Sequence, residues 1–167
     1  MSTTFTMRID EGQKKLISEY ANMHSQSMSE FLIESAMKAI EDQIDLDAWN
    51  AAKAEYDKNP VSYSTDSGAC MSWQVRYSER ALKQLSKLDK HVAALIVGWM
   101  EKNIDGCADP RAHGKGLTAN LSGKWRYRVG DYRVLCDIQD GQLVVLALEV
   151  EHRSSVYSNR RDARRRR

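Results

Sequence analysis

The stretch 124–133 constrains the fold more than any other part of the sequence, because apolar and cationic residues alternate along its first six positions. A period of two is typical of a strand with one buried face. Gly130-Asp131 then supplies turn residues, and a second strand is expected from Tyr132. The apolar set is Trp125, Tyr127 and Val129, and the cationic set is Lys124, Arg126 and Arg128. The stretch predicts a β-hairpin with one packed face and one row of cations.

Further polar residues belong to the same predicted sheet. Arg133 follows the turn, and His152, Arg153 and Tyr157 close the last strand. Guanidinium groups match phosphate oxygens in pairs and stay charged at any working pH. A face that gathers these groups would suit a phosphodiester. The competing interpretation is an ordinary sheet with a solvated basic face.

The two halves of the sequence carry opposite charge. Residues 1–70 hold 6 Lys and Arg against 12 Asp and Glu, a net −6, and residues 71–167 hold 19 against 11, a net +8. Their sum, −6 + 8 = +2, is the small charge of the whole chain. We therefore expect two domains, with the basic half as the nucleic-acid binder and the acidic half either covering it or binding another partner. Chance asymmetry on solvated surfaces is the alternative.

Cysteine usage and hydropathy limit the class of protein. The three cysteines lie far apart without metal-ligand spacing, which predicts a reducing compartment, no metal and no cofactor. No apolar run approaches the length of a membrane span, and the N-terminus has no signal-peptide core. The sequence therefore predicts a soluble cytoplasmic protein that contacts no membrane.

The first half begins with a short alternating strand followed by two capped helices. Thr3–Asp10 alternates with a period of two, and capping-box patterns begin at Asp10 and at Ser27. A module of this size buries little core alone, so we expect a homodimer that pairs its N-terminal strands. Over residues 3–44 this pattern resembles the ribbon-helix-helix module of RelB- and DinJ-type antitoxins.

That resemblance implies an autorepressor whose paired strands bind the major groove of operator DNA. The implied base contacts are Thr4, Thr6 and Arg8, and backbone amides near Ser27 and Ser29 would bind phosphate. The alternative is that residues 1–44 are a dimerisation module without a role on DNA.

Residues 45–58 form a third amphipathic segment. Its stripe consists of Leu46, Trp49, Ala52 and Tyr56. We expect this stripe to lie in a groove of another domain, although a third core helix of the first module is the competing interpretation. Asn59-Pro60 ends the segment, and Val61–Cys70 has the composition of a flexible linker. Residues 45–70 are thus predicted to be a covering helix and a linker.

Residues 71–159 predict a second domain, which makes the whole chain α+β. Met71 looks like the start of a second reading frame, and the sequence leaves open whether the frames are fused in nature or were joined by hand. The patterns follow the order β-α-α-β-β-β, which implies an antiparallel meander with helices on one face. The long basic loop 105–123 is typical of a functional loop. Lys115 in this loop and Lys124 after it are predicted RNA contacts.

Over residues 72–157 this half resembles the RelE/ParE toxin superfamily. The resemblance lies in Ser78–Lys83, Leu121–Arg133 and His152–Tyr157. RelE-type toxins cleave mRNA in the ribosomal A site, whereas ParE-type toxins poison DNA gyrase. In the family, lysine is common at the positions that Arg126 and Arg128 occupy here. Charge stabilisation is therefore the expected role of these two arginines. The resemblance implies catalytic roles that favour the RelE branch for Arg126, Arg128, Arg133, Arg153 and Tyr157.

The implied reaction is attack of a ribose 2′-OH on its own phosphodiester, without a metal. It needs a proton acceptor, cations for the charge on phosphorus, and an acid for the leaving oxygen. Arginine, with a pKa above about 12, cannot be the base. Tyr157 and His152 both stay open as proton carriers, and Arg133 and Arg153 would hold the phosphate.

An antitoxin-like half followed by a toxin-like half predicts a fused toxin–antitoxin chain. The expected partners are the 70S ribosome with mRNA in its A site, and operator DNA. The acidic half would cover the basic face in cis or in trans, which makes the chain an autoinhibited RNase that trimming at the linker would activate. A gyrase inhibitor and a DNA-binding repressor without catalytic activity are the alternatives. The arginine-rich tail 160–167 either binds ribosomal RNA or is a disordered or appended end.

Overall fold

The computed structural model describes residues 4–64, 72–118, 123–142 and 144–153. The chain divides into two compact units, Met1–Glu41 and Asp42–Arg167. This division lies close to the boundary that was predicted after residue 44. Among the described residues, no helix is long and apolar enough to cross a membrane.

The first unit contains α1 (Glu11–Met23) and the beginning of α2, which starts at Met28. Both helices start where their capping patterns predict. Asp10 accepts hydrogen bonds from two amides of the first turn at 2.9 and 3.4 Å. At the second start, Ser27 and Glu30 each accept a hydrogen bond from the other's backbone amide. These reciprocal bonds satisfy amides that the helix itself leaves unpaired.

The strand predicted at Thr3–Asp10 is not formed. Residues 4–10, all of them described, belong to no helix or strand. A strand exists only where its backbone groups pair with a neighbouring strand, and the predicted partner is the same segment of a second copy. The structure contains one chain. The ribbon of the predicted ribbon-helix-helix module, and with it the homodimer, therefore stays a prediction.

Helix α2 (Met28–Lys58) continues without interruption into the second unit. A separate helical segment beginning at residue 45 was therefore a wrong prediction. No glycine or proline interrupts residues 28–58, so nothing in the backbone ends the helix earlier. Asn59-Pro60 ends it, as predicted.

Within the described residues, a sheet of six strands forms the centre of the second unit. Its strands are β1 (Ser62–Ser64), β2 (Gln74–Ser78), β3 (Lys115–Gly116), β4 (Lys124–Val129), β5 (Tyr132–Gln139) and β6 (Val144–His152). Their order across the sheet is β1-β2-β6-β5-β4-β3. The predicted antiparallel meander is correct for β4, β5 and β6. It is wrong for β2, which pairs with β6 in parallel. A tight turn reverses the chain, whereas the two helices after β2 return the chain to the end of the sheet where β2 began, so a later strand can run in the same direction.

Helices α3 (Glu79–Leu85) and α4 (Lys90–Asn103) cover one face of this sheet. Ser78 and Asp89 cap them by accepting amide hydrogen bonds. The main core lies between these helices and the sheet, and the apolar row of β4 contributes to it as predicted. Its largest fully buried members include Tyr77, Ile96, Met100, Tyr127, Val134 and Val145.

The segment predicted as a linker begins as part of the sheet. Ser62–Ser64 forms β1, which pairs antiparallel with β2 and places Ser64 opposite Arg76. A linker over the whole of Val61–Cys70 was therefore a wrong prediction, because Ser62–Ser64 pairs with β2 through its backbone. Residues 65–70 lie outside the described part of the chain.

The loop before β4 is tied to the end of β5. It contains a short 3-10 helix, Pro110–Ala112. Arg111 donates two parallel hydrogen bonds to Asp140, at 2.7 and 2.8 Å. Asp140 itself begins another 3-10 turn, Asp140–Gln142. This bidentate pair holds the loop beside the sheet.

Gly114 is the position where the fold most needs glycine. Its φ is +80°, and an added Cβ would meet the carbonyl oxygen of Arg126, whereas Gly106 has a φ of +70° and open space. Gly114→Ala should therefore lower the free energy of unfolding by about 1–3 kcal/mol more than Gly106→Ala, since only the first adds a backbone clash to the strained conformation. Urea unfolding of the full chain measures both losses. Equal losses would show that Gly114 does not lie close to the backbone of Arg126.

Candidate active site

The second face of the sheet is covered by residues 42–58 of α2, hereafter the covering helix. Residues alternate between the two faces of a strand. Members of the main core therefore alternate with a second apolar patch on the strands, formed by Leu117, Leu135, Val144, Leu146 and Leu148. Trp49 and Ala52 are buried against this patch, and Leu46 and Tyr56 pack there at partly buried positions. All four residues of the predicted stripe therefore belong to this apolar cluster or pack against it.

Trp49 fixes the middle of the covering helix on the sheet. Its side chain is 6% exposed, and its indole N–H donates a 2.7 Å hydrogen bond to the carbonyl oxygen of Cys136. Cys136 lies where the register between β5 and β6 shifts. On the outer side, the Lys124 ammonium lies 4.6 Å from the centre of the indole ring and donates to Asn50 at 3.0 Å. The predicted RNA contact Lys124 is thus engaged by the covering helix.

Two arginines meet at one carboxylate beside this apolar patch. Arg126 on β4 and Arg133 on β5, hereafter the cation pair, are 3% and 2% exposed. Each donates a hydrogen bond to a different oxygen of Asp45, which has no exposed surface. The cationic face predicted for β4 is therefore closed at this point by the covering helix. A buried charge is stable only when it is paired, so these three groups depend on one another.

One helical turn earlier, Asp42 binds two further donors. Its Oδ1 lies 3.2 Å from the Nη2 of Arg126, and its Oδ2 accepts a hydrogen bond from the ammonium of Lys115. Arg126 therefore bridges the two acidic residues of the covering helix. The long loop before β4 contributes Lys115 through β3, whose two residues pair with β4.

A second set of charges continues from the cation pair along β6. Arg133 donates to Glu151 at 2.8 Å, and these two residues are direct cross-strand partners. Glu149, 2% exposed, accepts from Arg80 at 3.1 Å. Arg80 also donates to Glu55 of the covering helix at 2.6 Å. Arg80 therefore connects Glu55 of the covering helix to Glu149, and Arg133 connects Asp45 to Glu151.

Other residues of the predicted site lie at its edge or beyond the described chain. Arg128 is exposed and stands opposite Arg133 in the ladder. His152 is exposed, and its ring meets that of Tyr132 edge-on at 5.0 Å. Arg153 is exposed, and its backbone amide donates to the carbonyl of Asp131 at 2.8 Å. Tyr157 lies outside the described residues, so the structure does not test whether it joins the others.

The acidic half of the site was missed from the sequence, although a signal for it was present. Asp45 precedes Trp49 by four residues, so the two share one helix face. A carboxylate inside an apolar stripe has to meet buried cations or be left unpaired. The cross-strand pairing of Glu151 and the burial of Glu149 have no comparable signal, because they depend on the register of β6.

In the first unit, the predicted DNA contacts are at the surface. Thr4, Thr6, Arg8, Ser27 and Ser29 are all exposed. A groove of about 1120 Å³ lies beside them and is lined largely by apolar side chains, among them Phe5, Met7, Ile9, Met28, Leu32 and Ile33. Phe5 is 86% and Ile33 is 65% exposed. Apolar surface of this kind is typical of an interaction site, and its partner stays a prediction.

Comparison with known proteins separates the two halves. Residues 75–157 match a family model described as the ParE toxin of the type II toxin–antitoxin system, parDE. Residues 1–67 match a family of unknown function, DUF6290. The Toxin RelG of Mycobacterium tuberculosis is 32% identical over 87 residues, which is 52% of this chain and 98% of RelG.

Two solved structures resemble the same half. The toxin–antitoxin complex RelBE2 from Mycobacterium tuberculosis is 31% identical, with a TM-score of 0.44, over 52% of this chain and 99% of the other. The isolated E. coli RelE toxin is 22% identical, with a TM-score of 0.39, over 53% of this chain and 95% of its own. The resemblance of the first half to RelB- and DinJ-type antitoxins is untested by these matches and stays a prediction.

Glu149 gives the site a measurable dependence on pH. Burial raises the pKa of Glu149 from its ordinary value of 4.5 to about 6, against the opposing effect of Arg80. The folded chain then holds a proton more tightly than the unfolded chain, so this contribution to stability is complete below about pH 4.5 and is lost as the pH rises through 6. The unchanged chain should therefore lose free energy of unfolding between pH 4.5 and 7, and Glu149→Gln should avoid this loss. Relative to the unchanged chain, the variant's free energy of unfolding should rise by about 1–2 kcal/mol over this pH range. Chemical unfolding at both pH values measures this gain.

The same exchange at exposed Glu79 on α3 is the matched control. It should leave the difference between the two pH values unchanged. An equal gain for both variants would mean that the burial of Glu149 does not govern its titration.

Proposed function

Residues 75–157 belong to the RelE/ParE superfamily of type II toxins, and we propose that this half is a ribosome-dependent mRNA endoribonuclease which the covering helix holds inactive. The proposal makes the chain a toxin–antitoxin fusion. Its first half would neutralise the toxin and bind operator DNA as an autorepressor. Its place of action would be the cytoplasm, on the 70S ribosome with mRNA in the A site.

One observation carries the proposal: two buried guanidinium groups on neighbouring strands converge on the two oxygens of Asp45. A carboxylate and a phosphodiester both offer anionic oxygens, and paired arginines are well suited to either. With the covering helix removed, the same two groups would be free to hold a phosphodiester. A surface that only needed solubility would not bury its cations.

The proposed reaction is the one that the resemblance to RelE-type toxins implies. The ribose 2′-oxygen attacks the adjacent phosphorus, the bond to the 5′-oxygen breaks, and the products are a 2′,3′-cyclic phosphate and a free 5′-OH. The 2′ proton passes to a base, and a second proton reaches the leaving oxygen. Arg126, Arg128, Arg133 and Arg153 would stabilise the added charge on phosphorus. His152 and Tyr157 are the proposed proton carriers, one as base and the other as acid.

The position of β1 supports covering in cis. β1 and β2 are antiparallel neighbours in which Ser64 pairs with Arg76, so residues 65–73 join the end of one strand to the start of its neighbour. Neighbouring strands lie about 5 Å apart, so this length of chain is ample. The covering helix is therefore tethered next to its site, and its effective concentration there would be high. Activation would require trimming within residues 65–70, which lie outside the described chain.

The first half would act on DNA as a dimer. The exposed apolar groove beside Phe5 and Ile33 is the surface that a second copy would bury. Pairing of residues 4–10 from two copies would present Thr4, Thr6 and Arg8 to the major groove, with Ser27 and Ser29 near phosphate. A chain without catalytic activity, acting as a repressor alone, would bind operator DNA and leave mRNA intact.

The match to a ParE family model favours one other function, inhibition of DNA gyrase. The two functions differ in their target, so one preparation can decide between them. The gyrase function would be established by a chain with its covering helix released that blocks supercoiling by gyrase and leaves ribosome-bound mRNA intact.

Charge reversal at Asp45 is the test of the proposed function. Asp45→Arg places three guanidinium groups together and should expel the covering helix, because an uncompensated buried charge costs about 3–5 kcal/mol. Added to translating ribosomes, this variant should cleave mRNA in the A site at least roughly 100-fold faster than the unchanged chain. Primer extension on a defined mRNA maps the new 5′ ends.

Two variants control this experiment. Asp47→Arg makes the same charge change at an exposed position of the same helix and should stay as inactive as the unchanged chain. Adding Arg133→Ala to Asp45→Arg should abolish the cuts. The absence of cuts from Asp45→Arg, with its covering helix shown by hydrogen exchange to be released, would refute the RNase proposal.

A further inference from the structure

We propose that the covering helix imitates two consecutive phosphates of single-stranded RNA, and that Lys115 with Arg126 forms a second phosphate subsite beside the cation pair. This inference rests on the proposed function, since it concerns the substrate of the same site. In it, Asp45 stands where the reacting phosphodiester binds. Asp42 stands where the neighbouring phosphate binds.

Asp42, one helical turn away, also lies between two cations: it accepts a hydrogen bond from Lys115 and forms an ion pair with Arg126. Each carboxylate is held by two cationic side chains: Asp45 by Arg126 and Arg133, and Asp42 by Arg126 and Lys115. Arg126 contacts both carboxylates, so the two sites are adjacent. The three cations come from β3, β4 and β5, which form one continuous part of the sheet.

The spacing of the two carboxylates suits a nucleic-acid strand. Residues three apart on a helix have Cβ atoms about 5–6 Å apart, which is comparable with the separation of neighbouring phosphates along a single strand. A single guanidinium has donors on two edges and can contact both groups at once. An oligonucleotide with two phosphodiesters would therefore satisfy all three cations, whereas one phosphodiester would leave Lys115 without its anion.

Solvent exposure separates this subsite from an ordinary surface ion pair. Arg126 is 3% exposed although it carries a full charge, and Asp42 and Lys115 are the outer members of the cluster, with side chains 26% and 44% exposed. Exposed pairs contribute little to stability, but a buried guanidinium needs anions on each of its sides. When the covering helix leaves, water or another anion takes the place of Asp42. RNA does this if its second phosphate lies where Asp42 was.

The test compares short RNAs that carry one and two phosphates. The protein is the full chain carrying Asp42→Asn and Asp45→Asn, which keep the shape of both side chains but remove the competing charges. The probes are 2′-O-methyl ApG, which cannot be cleaved, and ApG extended by one 2′-O-methyl adenosine on the 5′ or the 3′ side. NMR titration at fixed salt gives the dissociation constants.

One of the two trinucleotides should bind about 10-fold to 100-fold more tightly than ApG, as expected for an added charge-assisted contact. Lys115→Gln should remove this gain and leave the affinity for ApG unchanged. Lys87→Gln, at an exposed lysine between α3 and α4, should change neither affinity. Removal of the gain by Lys115→Gln alone would establish the second subsite.

Two results would overturn the proposal, and they can be told apart. If ApG binds and Arg133→Gln weakens it, but neither extension adds affinity or the gain survives Lys115→Gln, the second subsite is wrong and the proposed function stands. If ApG does not bind although hydrogen exchange shows that the covering helix is released, both fail together. Should the doubly substituted chain not fold, Asp42→Asn alone serves: it should accelerate hydrogen exchange of the covering helix at least 10-fold, and Lys115→Gln added to it should have no further effect. A further acceleration on adding Lys115→Gln would overturn the subsite.

Discussion

A carboxylate without exposed surface, Asp45, between two buried guanidinium groups is the interaction on which the rest of the site depends. A buried ion costs several kcal/mol unless a partner compensates it. Arg126 and Arg133 therefore cannot be buried without an anion, and Asp45 cannot be buried without them. The covering helix and the cation pair thus form one unit, and the cation pair becomes open to water or to an anion of another kind when the helix leaves.

Two sets of contacts on the covering helix have different effects: one stabilises its binding to the sheet, and the other fixes its register. Its apolar stripe, centred on Trp49, packs on the second patch of the sheet and supplies non-directional stabilisation of about 1.5–3 kcal/mol for each large side chain buried. Its acidic end sets the register, because rotating a helix by one residue turns a side chain through about 100° and would move Asp45 off the cation pair. β1 adds backbone pairing at the edge of the sheet. The same helix can therefore hold tightly and still place its carboxylates correctly.

Much of this arrangement could be predicted from local patterns, and the remainder depends on long-range register. Alternation along residues 124–133 gave the hairpin, and spacing along residues 45–58 gave the stripe that contacts the sheet. The parallel pairing of β2 with β6, the strand β1 and the contact between Arg133 and Glu151 join residues far apart in sequence, which periodicity cannot detect. The strand predicted at Thr3–Asp10 is absent from the single chain for another reason, since its partner would belong to a second chain, and it stays a prediction. Asp45 could have been found, because a carboxylate within an apolar stripe requires a cationic partner.

The most direct test of the central interaction is a double-mutant cycle between Asp45→Asn and Arg133→Gln in the full chain. The measured quantity is the free energy of opening of residues 42–58, obtained from amide hydrogen exchange at several protein concentrations. A buried, directly bonded pair predicts a coupling free energy of about 1–3 kcal/mol, and covering in cis predicts that this value does not change with concentration. Additive effects of the two substitutions would contradict the account, because Asp45 would then not hold the cation pair. A coupling that grows with concentration would place the covering helix on a second copy.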